Sequence, residues 1–163
     1  MNLRILSLVL VVLTVCVCAD ATIISYRLND LGGGSYEYVY SVGNDSLSEN
    51  IKQFTIWFDE SLYSNLETPI RTAELSWNWD EDILPSTGLG IPLGYDVLTL
   101  DDGVGVGLVH GGFSVKFDWL GESLPSSQFY EIIDPVTFQT IDSGFTVPEP
   151  ITITSLTWII MAQ

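Results

Sequence analysis

The chain has 163 residues, with 21 acidic and five basic side chains and a formal net charge of −16. This charge repels nucleic acid and anionic lipid headgroups, and no basic patch in the sequence offsets it. The length suits one domain with a sizeable core. An acidic, self-repelling surface is typical of soluble exported proteins.

Residues 1–21 have the features of a secretory signal peptide. A charged start precedes an apolar run from Leu8, and small residues follow that run. Cleavage after Ala19 and cleavage after Ala21 both fit. A retained membrane anchor is the alternative, but the run is short for the ~20 residues that a span needs. Both cysteines of the chain lie in this segment, so the mature chain could not use disulfides despite an export route that permits them.

Two alternating runs, 24–29 and 36–42, predict a β-hairpin, because apolar or aromatic residues alternate with polar ones at the period of a half-buried strand. The loop is predicted at 30–34, where three consecutive glycines permit positive φ. This loop predicts the cross-strand pairs Tyr26 with Tyr38, Leu28 with Tyr36, and Arg27 with Glu37.

The middle of the chain predicts two further strands. Residues 54–58 alternate, and so do residues 73–79, where two tryptophans share a face. The apolar spacing at 62–66 predicts one helical turn. The acids, prolines and glycines of 80–94 favour an exposed irregular loop.

The second half of the chain also contains short alternating runs. Strands are predicted at 95–100, 113–119, 129–133 and 136–140. The alternating glycines of 103–107 indicate a bulge or a close backbone approach.

Short strands at this spacing, without a long helical pattern, predict an all-β fold. We expect an antiparallel β-sandwich of about seven to nine strands over residues 22–146, preceded by the signal helix and followed by a short tail at 147–163. The residues predicted to share one core are Phe54, Ile56, Phe113, Val115, Phe117 and Trp119.

Nucleophilic catalysis has little support in the sequence. His110 is the only histidine, and its position beside Gly111 and Gly112 predicts a loop histidine at a bend. No G-x-S-x-G elbow occurs, and one histidine without a mature cysteine cannot supply the usual ligands of a transition metal. The triplet that begins at Asn44 matches a glycosylation acceptor, but we interpret it as a turn.

Carboxylates beside tryptophans give the strongest alternative to a purely structural protein. Trp77, Trp79, Asp80 and Asp82 together could form a ligand edge for a glycan or for Ca²⁺. No EF-hand spacing accompanies them. A hydrolase using paired carboxylates is a third hypothesis. Sugar binding requires an exposed aromatic face, so the burial of the two tryptophans discriminates between these hypotheses.

The C-terminal part contains Val147, Pro148, Glu149 and Pro150, followed by an apolar segment. Two prolines in three residues enforce an extended segment without ladder donors, so the sandwich is predicted to end before them. On physical grounds the segment is either a linker with a frayed tail or a protruding strand that a processing enzyme could grip.

This V-P-E-P run before an apolar terminus, behind a signal peptide, resembles the PEP-CTERM proteins of Gram-negative bacteria. Residues 30–38, 54–59 and 112–120 are similar to secreted members of that group. The resemblance implies recognition of Pro148, Glu149 and Pro150 by an exosortase, a membrane-embedded sorting enzyme, with transient membrane association. It also implies delivery to the cell surface, outer membrane or extracellular matrix, a link to exopolysaccharide or biofilm, and no enzymatic activity.

The tail differs from the family pattern. Residues 151–163 would make a helix of only about 20 Å against a ~30 Å hydrocarbon core, and no Lys or Arg follows Lys116. We therefore predict that this tail does not anchor the chain by itself.

Overall fold

A computed structural model describes residues 22–71, 77–86 and 92–150. Over these residues the fold is all-β, and the predicted signal peptide, the tail after Pro150 and most of the predicted strand at 73–79 lie outside them. The strands of the described part are, in chain order, β1 (Ile23–Gly32), β2 (Ser35–Gly43), β3 (Gln53–Phe58), β4 (Tyr63–Glu67), β5 (Trp79–Leu84), β6 (Leu93–Thr99), β7 (Val109–Trp119), β8 (Phe129–Ile133), β9 (Thr140–Phe145) and β10 (Val147–Pro148).

The ten strands form two five-stranded sheets. The first sheet has the order β10-β1-β2-β7-β4, and the second has the order β5-β6-β3-β8-β9. Neighbouring strands are antiparallel except that β10 runs parallel to β1. The predicted antiparallel β-sandwich is confirmed, with ten strands where about seven to nine were expected.

The core between the sheets is largely aromatic. Phe54 of the second sheet meets Phe113 of the first with ring centroids 5.1 Å apart, and Phe58 meets Tyr63 at 5.0 Å. These edge-on contacts are the geometry that aromatic pairs prefer. The shared core predicted for six residues of β3 and β7 is confirmed, since five are buried and Trp119 packs against them.

The register predicted for the first hairpin is wrong by two residues. The turn contains only Gly33 and Gly34, both with positive φ, which suits a two-residue hairpin turn. A bulge between Asp30 and Gly32 adds one residue to β1 beside the turn, so Tyr26 lies opposite Tyr40, not Tyr38. A shift of two leaves every side chain on its predicted face, because the side-chain period of a strand is two.

The helical turn predicted at 62–66 is also wrong. The chain turns earlier, where the N–H of Tyr63 donates to the carbonyl of Asp59 at 2.9 Å. Residues Tyr63–Glu67 then pair with β7 as an edge strand. The turn is stabilised locally, because the Asp59 carboxylate accepts bonds from the N–H and hydroxyl of Ser61.

Two segments of the second sheet differ from their predictions. The acidic stretch expected to begin an irregular loop at Asp80 forms most of β5, paired with β6. The predicted strand at 136–140 is largely a turn, and the pairing with β8 begins at Thr140. In that turn the Asp134 carboxylate accepts bonds from Val136 and Thr137, which holds the chain out of the ladder.

The loops at one end of the sandwich are tied together by Asn44. Its buried side-chain amide donates to the carbonyls of Glu49 and Val104, at 2.8 and 3.0 Å, beside the predicted turn. The glycine-rich segment makes the close backbone approach that the sequence indicates, because a Cβ on Gly103 would collide with the carbonyl oxygen of Ile51.

Candidate functional site

The tryptophans and carboxylates of the predicted ligand edge do not converge. Trp79 begins β5 and points into the core, where it is 7% exposed and lies perpendicular to Phe113 at 5.0 Å between ring centroids. Asp80 and Asp82 are exposed on β5. They lie on the opposite side of the strand from Trp79 because successive side chains alternate.

Trp77 is half-buried and is also engaged by neighbours. The guanidinium carbon of Arg71 lies 3.6 Å from the centroid of its ring, which is the stacked cation–π geometry. Phe113 lies against it as well, with ring centroids 5.4 Å apart. An indole packed in this way supports the fold, and Arg71 covers one of the ring faces on which a sugar would pack.

A buried ionic cluster lies beneath these tryptophans, and sequence reasoning missed it. Glu81 points inward from β5, its side chain 6% exposed, and its Oε1 lies 2.5 Å from Nε of Arg71. The Tyr95 hydroxyl donates to the other carboxylate oxygen. Burial and the adjacent Glu81 charge raise the pKa of Tyr95 well above its ordinary value. Arg71 also donates from Nη2 to the carbonyl of Gly112 on β7 at 2.6 Å, so the ion pair links the two sheets.

His110 lies within β7, opposite Val42, so the prediction of a loop histidine is wrong. Its ring packs among Trp77, Trp79 and Phe113, with centroids 5.3 to 5.7 Å away. The expected glycine bend is present beside it, since Gly112 has φ +100°. The imidazole therefore serves as part of an aromatic cluster.

Exposed carboxylates in the loops cap turns. Asp101 accepts bonds from the N–H of Gly103, the hydroxyl of Thr99 and the amide of Asn78, and these bonds lower its pKa. Asp59 and Asp134 cap the turns at Ser61 and Val136 in the same way, and the bonds that they accept lower their pKa values. Within the residues that the structure describes, no three potential metal-ligating side chains come together.

The predicted sorting segment is docked on the first sheet. Val147 and Pro148 form β10, and the N–H of Glu149 donates to the carbonyl of Tyr26 at 2.8 Å. The predicted end of the sandwich before residue 147 is therefore wrong by two residues. Only alternate residues of a parallel edge strand bond to their neighbour, so Pro148 fits there without an N–H.

The side chains of this segment remain largely accessible. Val147, Pro148 and Pro150 are exposed, and Glu149 is half-buried. One carboxylate oxygen of Glu149 accepts a bond from the hydroxyl of Ser41 on β2, at 3.3 Å. The central acid of the motif is therefore held across two strands by one backbone bond and one side-chain bond.

A second candidate binding surface, with aromatic and carboxylate side chains, lies on the outer face of the second sheet. Trp57 points outward from β3 and lies between Gly94 of β6 and Phe129 of β8. A Cβ on Gly94 would be 2.9 Å from Cζ3 of Trp57, so the indole lies directly over that glycine. Its Nε1–H donates to Oε2 of Glu131 on β8 at 2.8 Å. The ring thus spans the face from β6 to β8.

Two phenylalanines continue from Trp57 toward the edge of the sheet. Phe129 pairs with Phe145 of β9, and their ring centroids are 5.6 Å apart. Phe129 is 38% exposed and Phe145 is 67% exposed. We call Trp57, Phe129 and Phe145 the aromatic row.

A row of hydrogen-bonding side chains runs beside the aromatic row, one step of two residues further along the strands. Thr55 donates to Asp96 at 2.5 Å, and Thr140 donates to Glu131 at 2.7 Å. By register this polar row consists of Asp96, Thr55, Glu131 and Ser143.

The aromatic row meets a cleft at the end of the sandwich. The cleft has a volume of about 330 Å³ and lies where β3 ends and β8 begins. Trp57 and Phe129 form one wall, and Trp119 and Leu62 contribute further apolar surface. Gln128, which is buried, and the two serines before it contribute polar groups to the lining.

Sequence reasoning missed this surface because it depends on register. The alternation of β3 already predicts that Trp57 points away from Phe54 and Ile56. The placement of Phe129 and Phe145 beside it requires knowing that β8 pairs with β3 and that β9 begins at Thr140. Sheet order and register are long-range properties that a local pattern does not contain.

The chain matches no protein-family model, and a search of curated proteins gives no match either.

Proposed function

We propose that this chain is a non-enzymatic exported protein of the PEP-CTERM kind, located at the cell surface or in the extracellular matrix and linked to exopolysaccharide or biofilm. The observation that carries the proposal is the V-P-E-P segment from Val147 to Pro150. It follows the last long strand of the sandwich and precedes an apolar tail, behind an N-terminus with signal-peptide features.

The geometry of the segment supports recognition by a sorting enzyme of the exosortase type. Both prolines are exposed, and the docked strand is only two residues long. Because this edge strand is so short, few hydrogen bonds hold it to the sheet. The strand can therefore be released without unfolding the sandwich. The fold therefore presents the motif at a defined place and leaves it accessible.

The environment of the reactive side chains supports a non-enzymatic role. His110 packs against aromatic rings, Glu81 is paired with Arg71, and Asp101 caps a turn. Each of these groups has a structural use that accounts for its position.

Among the described residues, no helix has the length and apolarity needed to cross a membrane.

The test is mass spectrometry of the native mature protein, which fixes both termini and the cell fraction that contains it. The chain is expressed in a Gram-negative host with an exosortase, and in the same host lacking that enzyme. We expect loss of the N-terminal segment in both hosts, and loss of the residues after Pro150 only where the exosortase is present.

Pro148→Ala is the informative variant. It adds an N–H that faces away from β1, so the strand pairing is kept, while the motif is changed. We expect intact folding and abolished C-terminal processing. Pro135→Ala, in the turn between β8 and β9, is the matched control and should be processed normally. Processing of Pro148→Ala at the wild-type rate, or an unprocessed wild-type tail, would contradict the proposal.

A further inference from the structure

The aromatic row provides an apolar strip on an otherwise acidic surface, with the rings of Phe129 and Phe145 inclined at 62° to each other. Trp57, Phe129 and Phe145 belong to three consecutive strands, which lie about 4.8 Å apart. The strip therefore extends about 10 Å across the sheet. Its outer end is the most open, since Phe145 has two thirds of its surface in contact with solvent.

Trp57, the ring at the inner end of the strip, is held in place by its neighbours. Gly94 leaves room for the indole of Trp57 to lie against the sheet, and Glu131 binds the indole N–H on the other side. A ring fixed in this way loses little conformational entropy when a ligand packs on it. The other role of such a ring, filling a core, is excluded because Trp57 points away from the space between sheets.

The polar row supplies acceptors at a fixed distance from the rings. Glu131 already accepts bonds from Trp57 and Thr140, one on each oxygen. A carboxylate has about four lone-pair sites, so each oxygen keeps acceptor capacity. Asp96 is oriented similarly by Thr55 and Gln53. These bonds orient both carboxylates beside the aromatic row.

We propose that this face binds a neutral polysaccharide. The C–H face of a sugar ring is apolar and packs on aromatic rings, while its hydroxyls donate to carboxylates at the edge. The net charge of −16 opposes an anionic polymer and opposes a second copy of this chain on the same face. The inference goes beyond the proposed sorting role, because a chain that is never sorted would still bind.

The experiment is native affinity electrophoresis of the full chain in gels containing a soluble neutral glucan, a galactomannan or anionic alginate. We expect retardation by at least one neutral polymer and none by alginate. Phe145→Ala and Trp57→Ala should each weaken binding by roughly tenfold, since a few aromatic contacts dominate such surfaces.

Phe138→Ala is the matched control. Phe138 is 76% exposed on the turn after β8, at the other end of that strand from Phe129. Its removal should leave the retardation unchanged. Because Phe145 is largely exposed, Phe145→Ala keeps the test valid even if Trp57→Ala folds poorly.

Four results would overturn the proposal. They are the absence of retardation in both neutral gels, retardation that Phe145→Ala does not weaken, retardation by alginate, and a concentration-dependent dimer that Phe145→Ala dissociates. The last would assign the face to a second copy of the chain. None of these results depends on C-terminal processing, so the two proposals fail independently.

Discussion

The indole of Trp57 lies directly over Gly94 of the neighbouring strand, so close that a Cβ on the glycine would collide with the edge of the ring. The two residues are a cross-strand pair on the outer face of the second sheet. A glycine normally weakens a strand because it has no side chain to pack. Here the ring covers the gap and also gains a fixed position.

Gly94→Ala is expected to destabilise the protein although it adds only a methyl group. The new carbon would sit 2.9 Å from Cζ3 of Trp57, so the indole must move and strain its bond to Glu131. Overpacking of this kind costs about 1–3 kcal/mol, which urea unfolding would measure. In a Trp57→Val background the cost should fall, because only the 3.3 Å contact of the new carbon with Thr55 Cγ2 then remains.

Gly43→Ala is the control for this effect. A Cβ at Gly43 would meet its nearest atoms at 3.6 Å, an ordinary contact distance, so the change should stay within about 0.5 kcal/mol. Equal effects of the two glycine substitutions would show that the indole does not lie over Gly94.

Phe117→Ala should be among the most damaging single substitutions. The ring is 2% exposed and stacks on Tyr38 with centroids 5.0 Å apart, and Tyr63 lies against it at the same distance. Truncation of a buried phenylalanine costs about 3–5 kcal/mol, which is comparable to the whole stability of a modest domain. The urea midpoint should fall accordingly, whereas Phe138→Ala should leave it almost unchanged.

The fold class was predictable because alternation is local. The strands that supply most of the core show apolar residues at every second position, and Phe113 to Trp119 is the clearest case. The faces of the first hairpin were predictable for the same reason. Its register was not, because local sequence shows neither which two of the three glycines occupy the turn nor the bulge between Asp30 and Gly32.

Elements without an alternating apolar pattern were mispredicted. The strand that contains Asp80 and Asp82 reads as a loop from composition, yet its edge position leaves their side chains in solvent while Glu81 faces inward. An inward glutamate is acceptable only with a partner such as Arg71, and that partnership is tertiary. The ligand edge predicted around Trp79 does not form, because Trp79 faces the core. Local spacing does not reveal which face of a strand is buried.

The ion pair between Arg71 and Glu81 yields a prediction of its own. Arg71→Met should destabilise the protein by about 2–4 kcal/mol, because it leaves the inward carboxylate of Glu81 without its cation. The variant also loses the cation–π contact with Trp77.

A double-mutant cycle measured by urea unfolding separates the loss of the ion pair from the loss of the other Arg71 contacts, with Trp77 and with the carbonyl of Gly112. Arg71→Met combined with Glu81→Gln should be more stable than Arg71→Met alone, since the glutamine is neutral and can still accept from Tyr95. If the double variant is no more stable than the single one, then the buried charge is not the cause.

Alkaline pH should destabilise the protein through its buried phenols. Several tyrosines have a raised pKa in the folded protein, and burial is the main cause at each. At Tyr130 the charge of Asp142 adds to burial, and the pKa is raised to about 12. The tyrosines with a raised pKa are Tyr38, Tyr40, Tyr63, Tyr95 and Tyr130.

The sign of the effect follows from proton binding. A phenol whose pKa is raised in the folded state keeps its proton there above pH 10, while the unfolded chain releases it. The associated stability is therefore fully present below pH 10 and is lost as the pH rises toward 12 and beyond. We expect the urea midpoint to fall steadily across this interval and the phenolate absorbance to rise together with unfolding. Tyr130→Phe removes one of these groups, so its midpoint should fall less steeply over the same interval. Ionisation of all seven tyrosines near pH 10 in a chain that remains folded would show that these phenols are not buried.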